Sequence, residues 1–470
     1  MHQSHLTWRQ SRTRLCCLLV GFLAFVSSAL SQTISISPVA GPPTTQVSVS
    51  GSGFSPKVTV KIRFDQTELA DTITGSKGGF SKVLIQVPDT ALPGRHTVTA
   101  QQSGSTLKAH ARFQVRTNWR QFHLVPCHLG VNRFENVLNP QSVASLTMQW
   151  AFPTANVVAS SAAVVDGVLY IGSNDNNIYA MNASTGAFLW NFTTGHAVQS
   201  APAVSGNLVY VGSFDGNVYA LDAKTGVSSW TFPTGGAVAS SPTVVKGAVY
   251  FGSDDFKVYA VDAATGGLLW KFKTAGAVTS SPSVDHGTVY VGSEDGHVYA
   301  LNASTGTLLW KFKTAGGVGA SPAVANGVVF VGSNDTHVYA LDRITGVLIW
   351  KRVTGGAVRS SPAVGHGMVY VGSDDGHVYG LSANSGKITW KSLTGGAVSS
   401  SPAMANGVIY AGSFDGRIYA FNASSGARLW NFATGGVVAS SPAVANGMLY
   451  VGSNDTNVYA FGLPAAADEP

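Results

Sequence analysis

The sequence predicts an all-β chain, a small β-sandwich followed by an eight-bladed β-propeller, and three observations carry that reading. Trp150, Trp190, Trp230, Trp270, Trp310, Trp350, Trp390 and Trp430 recur every forty residues without slippage. A fixed period between about twenty and fifty residues marks a stacked or closed repeat architecture. Each unit also holds four apolar runs of strand length, at 277–284, 288–292, 297–302 and 307–312 in the unit that contains Trp310. Turn signals separate them, from Asn-Gly pairs such as Asn326-Gly327 and Asn446-Gly447 to the stretches Ser293 to Gly296 and Asn302 to Gly306. Asn-Gly suits the type I′ turn of a hairpin, and four short hairpin-linked strands make one propeller blade. The runs lack the three-and-four spacing of a helical repeat. Finally, the strands balance only if the chain closes on itself. Eight inner runs begin at Ser161, Ala201, Ser241, Ser281, Ser321, Ser361, Ser401 and Ser441, and the last unit ends at Phe461-Gly462 without a tryptophan strand. Residues 146–152 carry Trp150 with no inner strands before it. That stretch is expected to complete the last blade and remove the open edge.

In chain order, residues 1–31 read as a secretory signal. Arg9, Arg12 and Arg14 precede an apolar stretch from Leu15 to Val26, and Ala29-Leu30-Ser31 gives a small-x-small cleavage site. The stretch is short for a membrane span, and no second candidate span follows. The formal net charge is +6, of which those three arginines supply half, a balance too mild to argue for nucleic acid. Cys16 and Cys17 leave with the signal, so Cys127 stands alone in the exported chain.

Residues 33–116 form the sandwich. β-rich runs at 47–49, 58–64, 80–87 and 96–100 are separated by Gly, Pro and Ser turns. Ser37-Pro38, Gly51-Ser52-Gly53-Phe54-Ser55-Pro56, Gly78-Gly79-Phe80-Ser81 and Pro93-Gly94-Arg95-His96 resemble the IPT/TIG-type immunoglobulin-like domains of bacterial surface proteins. The resemblance implies an Ig-like spacer module. Residues 117–145 read as an irregular connector, 146–462 as the propeller and 463–470 as a tail.

All fifteen tyrosines lie in the repeats, in two series typified by Tyr290 and Tyr299. Aromatics packed between neighbouring blades bury large areas, each on the order of 2–3 kcal/mol. A buried phenol oxygen also needs a partner, which neighbouring turns can supply. The segment Ala300-Leu301-Asn302-Ala303-Ser304-Thr305-Gly306-Thr307-Leu308-Leu309-Trp310 resembles the tryptophan-docking motif of PQQ-like propellers, and it weakens at Gly380 to Trp390, where Ser382 and Ser385 intervene. Trp119, Phe122, Gly130, Asn132 and Leu138 of the connector look like that family's lead-in. A WD40 propeller is the structural rival, but no Trp-Asp pair ends a unit.

The resemblance implies either a quinoprotein dehydrogenase, with PQQ and calcium, or a non-catalytic scaffold of the BamB type. The dehydrogenases generally carry adjacent cysteines and a Glu/Asn/Asp set on Ca²⁺. Here the sole adjacent pair is Cys16-Cys17, and Glu294 is the one glutamate between Trp150 and Gly462. No catalytic, cofactor or metal residue is therefore assigned, and no cofactor is expected. Asp175, Asp215, Asp255, Asp295, Asp335, Asp375, Asp415 and Asp455 hold one turn position and read as turn chemistry. His297, His337 and His377 share one position in three blades, too far apart to meet on one metal. Asp254, Glu294 and Asp374 precede turn aspartates and read as solvated turns rather than a calcium cage.

Fold does not give function, so the site is sought where the eightfold pattern breaks. Asn156 and His196 stand where the other units have Gly, and Gln199 and Arg359 stand in a variable column otherwise filled by Ala, Thr, Gly or Ser. These four are expected to line the mouth of the central channel and bind a ligand or partner. Lys271, Lys273, Lys311, Lys313, Lys351, Arg352 and Lys391 form a basic arc on the outer rim. Lysine on an outer strand blunts edge-to-edge pairing, and an anionic surface partner is the second reading. The expected protein is an exported, non-catalytic binding platform, periplasmic, cell-surface or secreted, with a protein or glycan partner at the cell envelope. An atypical quinoprotein dehydrogenase and an inert surface repeat are the alternatives.

Overall fold

Each forty-residue unit folds into one antiparallel sheet, because its hairpin turns return the chain every five or six residues. A computed structural model describes residues 31–464; residues 1–30 and 465–470, which hold the expected signal and most of the tail, lie outside the described residues. A typical sheet contains Ser283–Asp285, Thr288–Gly292, His297–Asn302 and Leu308–Lys313, from the axis outward. The inner strand is shorter than the expected run at 277–284. Pro282 has no N–H, and the residues before it contact the neighbouring sheet instead.

Among the described residues eight such sheets follow one another, called sheets one to eight in order of their inner strands. The eighth takes its outer strand from the N-terminal side: Thr147–Pro153 pairs with Asn457–Gly462, placing Trp150 opposite Ala460. The inner strands touch in sequence, and the first, Ala163–Val165, touches the eighth, Ala443–Ala445.

Two circuits of hydrogen bonds hold the sheets together. On the outside, each docking tryptophan donates its indole N–H to a carbonyl of the next sheet, as Trp270 does to Ala303 at 2.8 Å. The circuit closes where Trp430 donates to Leu146 O at 3.1 Å. In five sheets a tyrosine hydroxyl reaches the same carbonyl as the tryptophan, as Tyr250 does to Ala303 O. The Thr-Gly of the motif follows from this packing. Gly306 has φ +71, and a Cβ there would lie 2.7 Å from the Trp270 ring. On the inside, the backbone N–H of Ala201 donates to Ser241 Oγ, and the pattern steps through Ser281, Ser321, Ser361, Ser401 and Ser441 to Ser161. The single missing link is Ser161 to Ala201, which has no hydroxyl.

The core lies between successive sheets. Tyr250, Val258 and Trp270 of sheet three pack against Val289, Val291 and Leu301 of sheet four. The second tyrosine series points to the turn aspartates: Tyr299 Oη donates to Asp295 Oδ2 at 2.7 Å, and the Ala275 N–H donates to the same oxygen at 2.9 Å. Each such aspartate thus ties its hairpin to the loop that enters its sheet.

The N-terminal module has two sheets, one of three strands and one of five, around Val47, Val49, Ile62, Phe64, Val98 and Phe113. It contains four strands that the sequence reading passed over, Thr67–Ile73, Lys108–Val115, Thr33–Ser37 and the two-residue Ala40–Gly41. The first lies at a sheet edge and buries little, so it shows no clean alternation.

Candidate functional site: a channel sealed at one end

The inner strands of a ring present free edges to its axis, and every N–H there needs an acceptor. The connector supplies them. Trp119 exchanges backbone hydrogen bonds with Val164 at 2.7 and 2.8 Å. Val204 N–H then donates to Arg120 O, and Val244 N–H to Gln121 Oε1. Val284, Val324, Val364 and Met404 donate to the carbonyls of Pro126, Cys127, Leu129 and Gly130. Asn132 Nδ2 finally donates to Val444 O at 2.9 Å. Residues 119–132 thus meet all eight inner strands in order and wind once around the axis. Val131–Asn132 also pairs parallel with Ala403–Ala405. A circle this tight needs left-handed backbone, found at His123, Leu124, His128 and Gly130. A Cβ on Gly130 would press on Ala363 and the Pro402 carbonyl at 3.1 and 3.2 Å.

Two histidines fill the space enclosed by this turn. His123 is 2% exposed and His128 fully buried. Phe122 stacks on His123 with ring centroids 4.5 Å apart. Burial pushes the His123 imidazole down to about 4; burial, then the neighbouring His123, pushes His128 down to about 3. Both are neutral in the fold. His128 Nε2 lies 3.1 Å from Thr243 Oγ1. Thr243 and Ser283 occupy a column that is alanine in the other six units, so the ring is polar just where the connector brings histidine. Gln121 Nε2 and Ser283 Oγ have no protein partner. Beyond the turn, Glu135 is buried: Oε1 accepts from the Val137 and Leu138 N–H groups, and Oε2 accepts from Gly447 N–H. Burial raises its pKa against those bonds.

The connector side also meets the N-terminal module. Arg116 pairs with Asp166 at 3.0 Å, and Asn136 Nδ2 donates to Ala91 O at 2.9 Å. A cleft of about 440 Å³ opens there, lined by Pro42, Arg116, Arg120, Leu124, Phe134 and Asp166.

The four symmetry-breaking residues lie on the opposite face, with the second hairpins. His196 and Gln199 share the loop into sheet two, and His196 stacks on Phe214 with centroids 6.3 Å apart. Asn156 occupies the loop into sheet one and bonds Val157 N–H and Asn174 O. Arg359, in the loop into sheet six, pairs with Asp374 Oδ2 at 2.7 Å. Sheets two and six lie across the axis from each other, so the four do not form one cluster. Asp374 Oδ1 also accepts from Ser399 on the next sheet, and Glu294 accepts from Thr279. Burial, then Asp255, raises the pKa of Asp254. His297, His337 and His377 each stay with their own turn aspartate. Among the described residues no three His, Cys, Asp or Glu side chains are grouped to hold a metal ion, and no helix is long and apolar enough to cross a membrane.

The model described as "Outer membrane protein assembly factor BamB" matches residues 116–259 and 232–320. The model "Beta-alanine-activating enzyme, beta-propeller" matches residues 283–463. In repeat and fold the ring is similar to the PQQ-like β-propellers. Among solved structures it is similar to quinohemoprotein alcohol dehydrogenase from Comamonas testosteroni (17% identity, TM-score 0.67, covering 75% of this chain and 81% of that one). It is also similar to BamB from Moraxella catarrhalis (19% identity, TM-score 0.60, covering 69% and 99%). A europium-containing methanol dehydrogenase aligns at 15% identity and TM-score 0.66, covering 74% and 98%. Identities this low show the fold alone. No curated protein matches. Enzyme and assembly factor share the propeller, so the choice between them rests on this chain's own residues.

Sequence reasoning missed the connector's role, because its partners lie in eight different strands. One signal was available: Thr243 and Ser283 interrupt a column of alanines at buried positions.

Proposed function

We propose that this chain is an exported, non-catalytic binding platform, an eight-bladed PQQ-like propeller closed by residues 146–152 behind an Ig-like module. It holds a protein or glycan partner at the cell envelope through the face opposite the connector. One observation carries the reading. The chain's own connector hydrogen-bonds to the inner strand of every sheet, so the channel is stoppered from one side, and the irregular side chains stand on the other. The residues there fit a binding surface better than a quinone pocket with calcium. Asp374 is engaged by Arg359 and Ser399, Glu294 by Thr279, and Cys127 lies in the connector without a neighbouring cysteine. The match to the BamB model supports a protein partner. A photo-crosslinking residue at Gln199 or Arg359 tests this in envelope preparations. The reading expects one dominant adduct from these positions and none from Lys246, on the connector side. Adducts from Lys246 alone would count against it.

A further inference from the structure

The outer rim is less uniform than the ring it surrounds. All eight outer strands are sheet edges, yet lysine appears only on four consecutive ones: Lys271, Lys273, Lys311, Lys313, Lys351 and Lys391. Protection of edges from pairing does not explain this, because the outer strands of sheets one, two, seven and eight are equally edges and carry none. None of the six makes an ion pair among the described residues, and the strands that bear them contain no Asp or Glu.

Three of these strands begin with exposed aliphatic residues. Leu269 and Leu309 are each 53% exposed, beside Leu268 and Leu308. The largest projection is the third hairpin of sheet five, where Ile344 is 73% and Val347 63% exposed, followed by exposed Leu348 and Ile349. Other units place Ser, Lys, Ala or Asn at the position of Ile344. The hairpin is held outward. Asp342 Oδ1 accepts from the backbones of Ile344 and Thr345 and from the Thr345 hydroxyl. Arg343 is fixed from both sides, its guanidinium on Asp285 and its carbonyl under Trp310 and Tyr290. An ordered wedge of four aliphatic side chains, centred in a run of unpaired lysines, has the composition of a surface that rests on a bilayer: apolar groups enter the acyl boundary while cations meet the headgroups.

We propose that the rim of sheets three to six docks on an anionic lipid surface, with the hairpin at Ile344 and Val347 inserting and the lysines reading lipid phosphates. The proposal is independent of the partner on the open face. The test uses the chain from Gln32 on, so that the apolar leader adds no lipid affinity, in co-sedimentation with vesicles. Phosphatidylglycerol mixed equally with phosphatidylcholine is set against phosphatidylcholine alone. The expected result is binding to the anionic vesicles only, weakening as salt rises. Lys311→Glu with Lys351→Glu and Lys391→Glu should weaken it by on the order of a hundredfold. Ile344→Ser with Val347→Ser should weaken it by on the order of tenfold, with an unchanged melting temperature. No binding, equal binding to both vesicles, or a dimer in solution that these substitutions dissolve would overturn the proposal.

Discussion

The two ends of the propeller channel are built from the same eight repeats and end up opposite in character. At one end the connector answers each inner strand in turn, and polar residues from ring and connector are buried together. At the other, loops carry Asn156, His196, Gln199 and Arg359, of which Asn156, His196 and Arg359 are each engaged within their own sheet. Repetition builds the wall, and one irregular segment decides which end remains available. Strict symmetry would make all eight sheets alike at each mouth, so function is to be sought where the repeats differ from one another.

Breaking the sealed end should have the largest effects. Trp119 is 2% exposed against sheets one and eight. Trp119→Ala should cost about 3–5 kcal/mol, read as a lower denaturant midpoint. Acid should act next. His123 and His128 titrate at about 4 and about 3 in the fold, and near 6.5 when unfolded. Their contribution is complete above about pH 6.5 and is lost as pH falls toward 4, by up to about 1.4 kcal/mol per pH unit for each histidine. A His123→Gln/His128→Gln variant should show a flatter dependence in this window; identical pH profiles would contradict the buried neutral pair. Smaller still, Thr243→Ala removes the partner of His128 and should cost about 1 kcal/mol. Ser283→Ala removes a buried hydroxyl with no protein partner and should be neutral or slightly stabilising. Ala201→Ser would supply the missing link in the serine circuit, and should raise stability by about 0.5–1 kcal/mol.

The forty-residue units were legible because each repeats its own instructions: Asn-Gly for the first hairpin, Ser-x-Asp for the second, Thr-Gly before a tryptophan. All of these act within a few residues. The pairing of the strand around Trp150 with the last repeat also followed from counting strands. The connector was illegible for the opposite reason. Trp119, Gln121 and Gly130 bond to strands between 45 and 274 residues away, and nothing in their local spacing encodes a circle. Thr67–Ile73 was missed because an edge strand carrying Glu68 and Asp71 gives no apolar rhythm. The four mouth residues could be found as departures from a column. That Arg359 stands across the axis from Gln199 needed the ring itself.

A platform and a quinone enzyme differ in whether the propeller binds PQQ with Ca²⁺. The most direct measurement is the thermal unfolding of the chain from Gln32 on, titrated with PQQ and Ca²⁺. A ligand at a hundred times its dissociation constant stabilises by about 2.7 kcal/mol. A platform shows no shift at any concentration, with the two ligands singly or together. Saturable stabilisation that requires both would contradict it.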